Sequence, residues 1–218
     1  LFWPPTSLTR KEIVQKLRYV PLTSSFRSRY AYDNVLYPVA GELIEAVSGM
    51  TWENFLTHNI FQKVGMNRTR PTAKQANLLT NRATPHARVN GKIQIVQPFD
   101  IDNVAPAGGI HSSAEEMAKW IKVLLNQGSL DDGTQLISRE TVRELWTLVT
   151  PIPIGTHPPS LTAMQSNFLG YALGFAVRDY RGHKMVSHTG GLPGFLSQVT
   201  MLPKQKLGIV VLTNQESG

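Results

Sequence analysis

The 218-residue chain contains no cysteine. That excludes a disulfide scaffold, a thiolate nucleophile and a Cys-ligated metal, and leaves the redox compartment open. Long apolar runs are missing too: none approaches the roughly 18 residues a membrane helix needs, so no membrane span is expected. No charged start followed by an apolar stretch marks a signal peptide. The chain opens Leu1-Phe2-Trp3-Pro4-Pro5 without an initiator Met, and reads as the interior of a longer protein. There is no G-x-G-x-x-G, no phosphate-binding loop, no H-E-x-x-H and no G-x-S-x-G. The histidines (58, 86, 111, 157, 183 and 188) show no metal-ligand spacing. Neither a metal nor a cofactor is expected.

Hydrophobic residues make up 41% of the chain and charged residues 17%, a globular composition. The formal charge of +7 comes from scattered basic residues, the densest groups being Arg10-Lys11 and Arg27 with Arg29. A nucleic-acid partner would require that charge to be clustered among aromatics. A solvated basic surface and no nucleic-acid binding are expected instead.

The first half reads as helices. Thr9 with Glu12 forms a capping box, predicting a helix over about 10–19. Asn34 can cap a second helix, in which Val35, Val39, Leu43, Ile44 and Val47 make the apolar stripe and Gly49 the stop. Pro38 fits only in its first turn. A third helix is predicted over about 52–63, capped by Thr51 and ended by Gly65. Residues 66–111 read as loop, with one strand at Lys92–Gln97. Ser113 with Glu116 forms another capping box for a helix over about 113–126, and Ser138 caps one to about 147. The last third changes character. A proline-rich loop (150–160) precedes four strand candidates: Ala172–Asp179, Lys184–His188, Leu196–Leu202 and Leu207–Thr213. Short turns between them imply an antiparallel meander. Helices first and an antiparallel sheet after make an α+β fold.

Two segments carry candidate chemistry. Tyr32-Asp33-Asn34 lies directly before a helix. His188-Thr189-Gly190-Gly191 lies at the end of a strand and the start of a glycine-rich turn. Each alone has an ordinary structural explanation, a helix cap and a hairpin turn. Their order and surroundings say more. The stretch from Phe26 to Gly49 resembles the Tyr-x-Asn region of the β-lactamase-related serine hydrolases, the relatives of class C β-lactamases, DD-peptidases, D-aminopeptidases and certain esterases. Ile60-Phe61, Gly65-Met66 and Thr69 resemble the segment after that region. Ala107 to Trp120 resembles the next landmark, and Gly174-Phe175, His188 to Gly191 and Gly194-Phe195 the strand pair around the third motif. The resemblance runs from about residue 8 to the end.

The resemblance implies an incomplete β-lactamase/penicillin-binding-protein-like fold: one partial domain over 1–218, mainly helical over 1–150 and antiparallel strands over 151–218. It implies hydrolysis of an amide or ester bond in a small-molecule or peptide substrate, through an acyl-enzyme. Tyr32 matches the catalytic Tyr, a proton shuttle if nearby cations lower its pKa. Asn34 matches the amide donor to a substrate carbonyl. His188 stands where many relatives have Lys, which weakens fixed positive charge. Thr189 can hydrogen-bond substrate, Gly190 allows close approach, and the Gly191 N–H matches an oxyanion donor. Asp33 is expected to be the variable middle residue, and Trp120, Trp146 and Phe175 core. His86 and His111, on loops near the cleft, have no expected role.

The family's nucleophile motif is Ser-x-x-Lys, and no Lys here has Ser three residues before it. The landmark order places that motif before Leu1, so the chain alone is expected to be inactive. The alternative is a non-catalytic binding module or pseudoenzyme. Either way, a missing N-terminal segment or self-association is expected to complete the fold. Export of many relatives points to the periplasm or cell envelope.

Overall fold

The computed structural model describes residues 6–156 and 158–216, so His157 lies outside the described residues. The helical part begins with α1 (Arg10–Lys16), continued by a 3-10 turn to Tyr19. Its capping box is formed: the Thr9 hydroxyl accepts the Glu12 N–H, and the Glu12 carboxylate accepts the Thr9 N–H. Helix α2 (Leu36–Ser48) ends on Gly49 in the left-handed region that glycine tolerates best. Next comes α3 (Trp52–Leu56), capped by the Thr51 side chain. A π-helical turn (Thr57–Phe61) and α4 (Gln62–Val64) carry the same helix to Gly65.

Arg10 ties these elements together. Its guanidinium donates to Glu45 on α2 at 2.8 Å and to Glu53 on α3, and lies over the Trp52 ring. Glu45 also accepts the Trp52 N–H. Helix α2 packs close because Gly41 has no side chain: a Cβ there would lie 2.6 Å from a Pro106 ring carbon. The predicted α2 stripe is only partly inward. Leu43 and Val47 are exposed with Leu36, because the helix docks through Pro38, Gly41 and Ile44.

The stretch read as loop over 66–111 holds more structure. It contains α5 (Ala73–Ala76) and a hairpin of β1 (His86–Val89) with β2 (Lys92–Ile95), turned on Asn90 and Gly91, both at positive φ. Helix α6 (Ala114–Leu125) is capped by Ser113, whose hydroxyl accepts the Glu116 N–H. The predicted reciprocal bond is replaced. The Glu116 carboxylate is buried and accepts the Arg68 N–H at 2.9 Å and the Thr69 hydroxyl at 2.6 Å. Burial pushes this carboxyl up, but those two hydrogen bonds and the charges of Lys119 and Arg68 outweigh it and hold it below the usual range. Helix α7 (Arg139–Leu145) follows, capped by Ser138.

The sheet has six antiparallel strands in chain order: β3 (Thr150–Pro151), β4 (Leu169–Tyr171), β5 (Ala176–Tyr180), β6 (His183–Leu192), β7 (Phe195–Leu202) and β8 (Leu207–Thr213). The predicted Ala172–Asp179 strand starts too early: residues 172–175 make the turn between β4 and β5, with Gly174 at φ 83°, and only Ala176 onward is strand. The β5–β6 turn is two residues, Arg181 and Gly182, both at positive φ, as the twist of adjacent strands favours.

Side chains alternate across the sheet. Val177, Val186 and Met201 face Ile121 and Leu124 of α6 and Val142 and Trp146 near α7, forming the main core. Gly208 lets β8 approach α6, since a Cβ there would lie 2.3 Å from an Ile121 methyl. Trp146 is buried, and Trp120 and Phe175 pack against the same cluster, as expected of core residues. A second cluster joins Trp52, Leu56, Phe61 and Met66 to Ala105. The opposite face of the sheet is bare among the described residues: Leu196, Leu207, Ile209 and Val211 are between 37% and 49% exposed. Among those residues, strand β8 pairs only with β7.

Candidate active site

The His-Thr-Gly-Gly segment lies inside a strand rather than at its end. Strand β6 runs on to Leu192, and the turn is Pro193-Gly194. The β5 partner stops earlier, since the last β5–β6 pair is Ala176 with Ser187. Residues 188–191 therefore pair with β7 alone among the described strands, and the His188 ring meets those of Tyr171 and Tyr32. This leaves a stretch of strand backbone on the open side.

On β6, His188 and Gly190 alternate in step with Val186, so they lie on the helix-facing side. The absence of a side chain at Gly190 matters: a Cβ would lie 2.2 Å from the Ser197 hydroxyl. Thr189 is exposed, and with Leu196, Gln198, Val211 and Thr213 it lines a shallow groove on the bare face.

Across the gap stands the segment before α2. Its turn is built by Asp33, whose carboxylate accepts the Val35 N–H at 2.9 Å. The residue expected to be a variable spacer thus shapes the backbone by an Asx turn. Asn34 does not cap α2; the cap position falls on Val35 with no side-chain bond. Asn34 is half-buried, and its backbone carbonyl accepts the Tyr37 N–H.

The structure brings Tyr32 and His188 together, with ring centroids 6.1 Å apart. Sequence reasoning missed the group between them. Tyr171, on β4, meets the Tyr32 ring edge-on at 6.1 Å and the Tyr30 ring at 5.5 Å. Its hydroxyl is 2.8 Å from His188 Nε2. His188 Nδ1 lies 2.5 Å from the Thr189 carbonyl oxygen. The only sequence signal for Tyr171 is its place three residues before Gly174-Phe175.

Electrostatics here run opposite to one expectation. Burial pushes the Tyr32 phenol above its ordinary value, and neighbouring Tyr37 and Tyr30 push it further. Burial likewise raises Tyr171, reinforced by Tyr37, Tyr32 and Tyr30. The condition set for Tyr32, nearby cations that lower its pKa, is not met by the described residues, where the neighbours acting on it are phenols. A phenol in this setting holds its proton until something else draws it off.

His111 and His86 fall elsewhere. The His111 backbone bridges Arg70 in both directions, and burial lowers its imidazole pKa. The His86 N–H donates to the Asn214 carbonyl, clasping the segment after β8. Among the described residues no group of three or more His, Asp and Glu is placed to hold a metal. No helix among them is long and apolar enough to cross a membrane.

Comparison with known proteins bears on the fold and the family. The chain is 30% identical over 223 residues to the unguisins hydrolase ungD of Aspergillus violaceofuscus, covering 94% of this chain and 38% of that protein. It superposes on the octameric penicillin-binding protein homologue from Pyrococcus abyssi with a TM-score of 0.81 at 24% identity, covering 97% of this chain and 45% of that one. The D-amino acid amidase of Ochrobactrum anthropi SV3 gives a TM-score of 0.73 at 17% identity, over 96% of this chain and 58% of that one. The chain thus spans well under two thirds of the length of each. A family model described as beta-lactamase matches residues 2–218, and the chain belongs to that family.

Proposed function

We propose that this chain forms one wall of the acyl-transfer site of a serine hydrolase that cleaves amide or ester bonds, and that the Ser-x-x-Lys nucleophile comes from a segment preceding Leu1. One observation carries the reading. A phenol from the loop before α2 and an imidazole from β6 converge to 6.1 Å, although they are far apart in sequence. In this reading Tyr32 shuttles the proton, and the raised phenol needs the Lys of the nucleophile motif beside it to become a base. Asn34 donates its amide to the substrate carbonyl. Thr189 hydrogen-bonds substrate at the open β6 edge, Gly190 admits it, and the Gly191 N–H supplies one oxyanion donor. His188 shapes the third motif. Residues 1–218 are part of a single domain, its helical portion and its strands both completed by the preceding segment. The names of the relatives, a hydrolase of unguisins and an amidase, favour amide bonds.

The second reading, a binding module that has kept the fold without the nucleophile, is supported by the absence of Ser-x-x-Lys from these residues. Labelling the full-length protein with a fluorescent penicillin and with a fluorophosphonate separates the two. An adduct that disappears when the upstream Ser is replaced supports the enzyme. No adduct from either reagent, in protein shown to be folded, leaves the binding module.

A further inference from the structure

Both ring nitrogens of His188 are occupied, and their partners differ in kind. The Thr189 carbonyl oxygen, 2.5 Å from Nδ1, can only accept, so Nδ1 carries a hydrogen. In the singly protonated ring Nε2 is then an acceptor, and the group 2.8 Å from it is the Tyr171 hydroxyl, which can donate. Tyr171 itself is held firmly. The Tyr30 and Tyr32 rings pack on it, and β4 fixes its backbone between Thr150 and Ala176. Its phenol is pushed well above the ordinary value, first by burial, so it keeps the proton it donates.

We propose that Tyr171 is a positioning residue that locks His188 as the Nδ1–H tautomer, with Nε2 engaged, so that the side chain at residue 188 offers no N–H to an anion and the site selects substrates with no carboxylate facing that side chain. The proposal rests on the acyl-transfer reading for its substrate class, but the tautomer lock stands on the geometry alone. A Lys or a free imidazolium at residue 188 would present N–H donors to a substrate carboxylate. Here a carboxylate approaching Nε2 meets a lone pair and a phenol oxygen. Its desolvation would go uncompensated, whereas an ester or amide group loses less. Specificity for uncharged substrates then comes from a repulsive element as well as an attractive one.

Two measurements on the full-length protein test this. The first is long-range ¹H–¹⁵N NMR of the imidazoles at neutral pH. The expected His188 signature is a protonated Nδ1 and an unprotonated, hydrogen-bonded Nε2, and Tyr171→Phe should shift Nε2 toward a free acceptor or the other tautomer. An Nε2–H or doubly protonated ring in the wild type, or no change in Tyr171→Phe, overturns the lock. This readout requires no turnover. The second is the ratio of kcat/KM for p-nitrophenyl butyrate and mono-p-nitrophenyl glutarate, which differ by a terminal carboxylate. The neutral ester should be favoured by roughly tenfold or more, and His188→Lys should erase or reverse that preference. Preference for the glutarate in the wild type overturns the selectivity. Failure to turn over either ester, with no fluorophosphonate adduct, refutes the acyl-transfer reading and with it the substrate class, while the NMR result still decides the role of Tyr171.

Discussion

The two faces of the six-stranded sheet differ in a way their strands do not. One face buries Val186 and Met201 completely under α6 and α7. The other leaves Ile209 and Val211 about half exposed on an edge strand. Both sets are apolar and both alternate correctly, so strand propensity cannot tell them apart. What differs is whether the described chain supplies a cover. The flank of α2 carrying Leu36, Leu43 and Val47 repeats the pattern, an apolar strip with no described residue covering it. Contiguous exposed apolar surface of this sort marks an interaction site or an aggregation liability.

The comparison can be broken. Met201→Ala should cost about 2–5 kcal/mol, because it opens a cavity at a fully buried position. Val211→Ala on the bare face should cost well under about 1 kcal/mol in these residues alone. Urea unfolding of both variants measures the contrast. Equal losses would mean the bare face is covered in solution, and a loss that grows with protein concentration would mean a second copy covers it. Size-exclusion chromatography sharpens the same point: these residues alone should self-associate, and a monodisperse, well-folded monomer would refute the need for a cover.

The next effect concerns the packed side. Glu116→Gln should cost about 1–3 kcal/mol, since the carboxylate accepts two hydrogen bonds while buried. Its folded-state pKa is depressed, so this contribution is present above the ordinary glutamate value and is lost as pH falls through the folded one. Thermal melts of both proteins should converge on acidification. If the difference persists below that window, the charge is not the cause.

Tyr171 gives the opposite sign. Its folded pKa is raised, so stability is full below the ordinary phenol value, near 10, and declines as pH rises above it. The extra slope is about 1.4 kcal/mol per pH unit for one phenol, and Tyr171→Phe should remove it in alkaline urea titrations. An unchanged slope would place the proton elsewhere. The smallest effect is expected at the exposed pair Lys122–Asp131, beside α6. Asp131→Asn should change stability by less than about 0.5 kcal/mol, and a larger loss would mean the packed face depends on surface charge as well as apolar contact.

Much of this is legible in the residues, for reasons that can be named. Strand β8 can be read to the residue because Leu207–Thr213 is a β-branched run between a Pro-Lys-Gln turn and a polar end. Helix caps at Thr9, Thr51, Ser113 and Ser138 are recognisable because each side chain bonds locally. The features that escape sequence reading depend on neighbours remote in the chain. Strand β3 is two residues, one of them Pro151, and β4 is three around Gly170; only the pairing of β3 with β4 and of β4 with β5 makes them part of the sheet. Glu116 reads as half of a capping box because nothing local shows that Arg68 and Thr69 lie closer. The contact between Tyr32 and His188 is implied by motif order, but Tyr171 joins them across the intervening strand β5, and no spacing encodes that.

The chain-order arrangement of β3 to β8 has a kinetic corollary. Every pairing in this sheet joins consecutive strands, and the β5–β6 and β6–β7 links are two residues long. Such hairpins close on a timescale of about 1–10 μs and need no distant partner to start. The sheet can therefore nucleate at the Arg181-Gly182 turn and grow outward from β4 to β8 with low loop-closure entropy, while β3 must close across residues 152–168. Its slow event should be the arrival of α6 and α7 on the one face, so the order of assembly runs from strand to helix, the reverse of the order in which the chain is written.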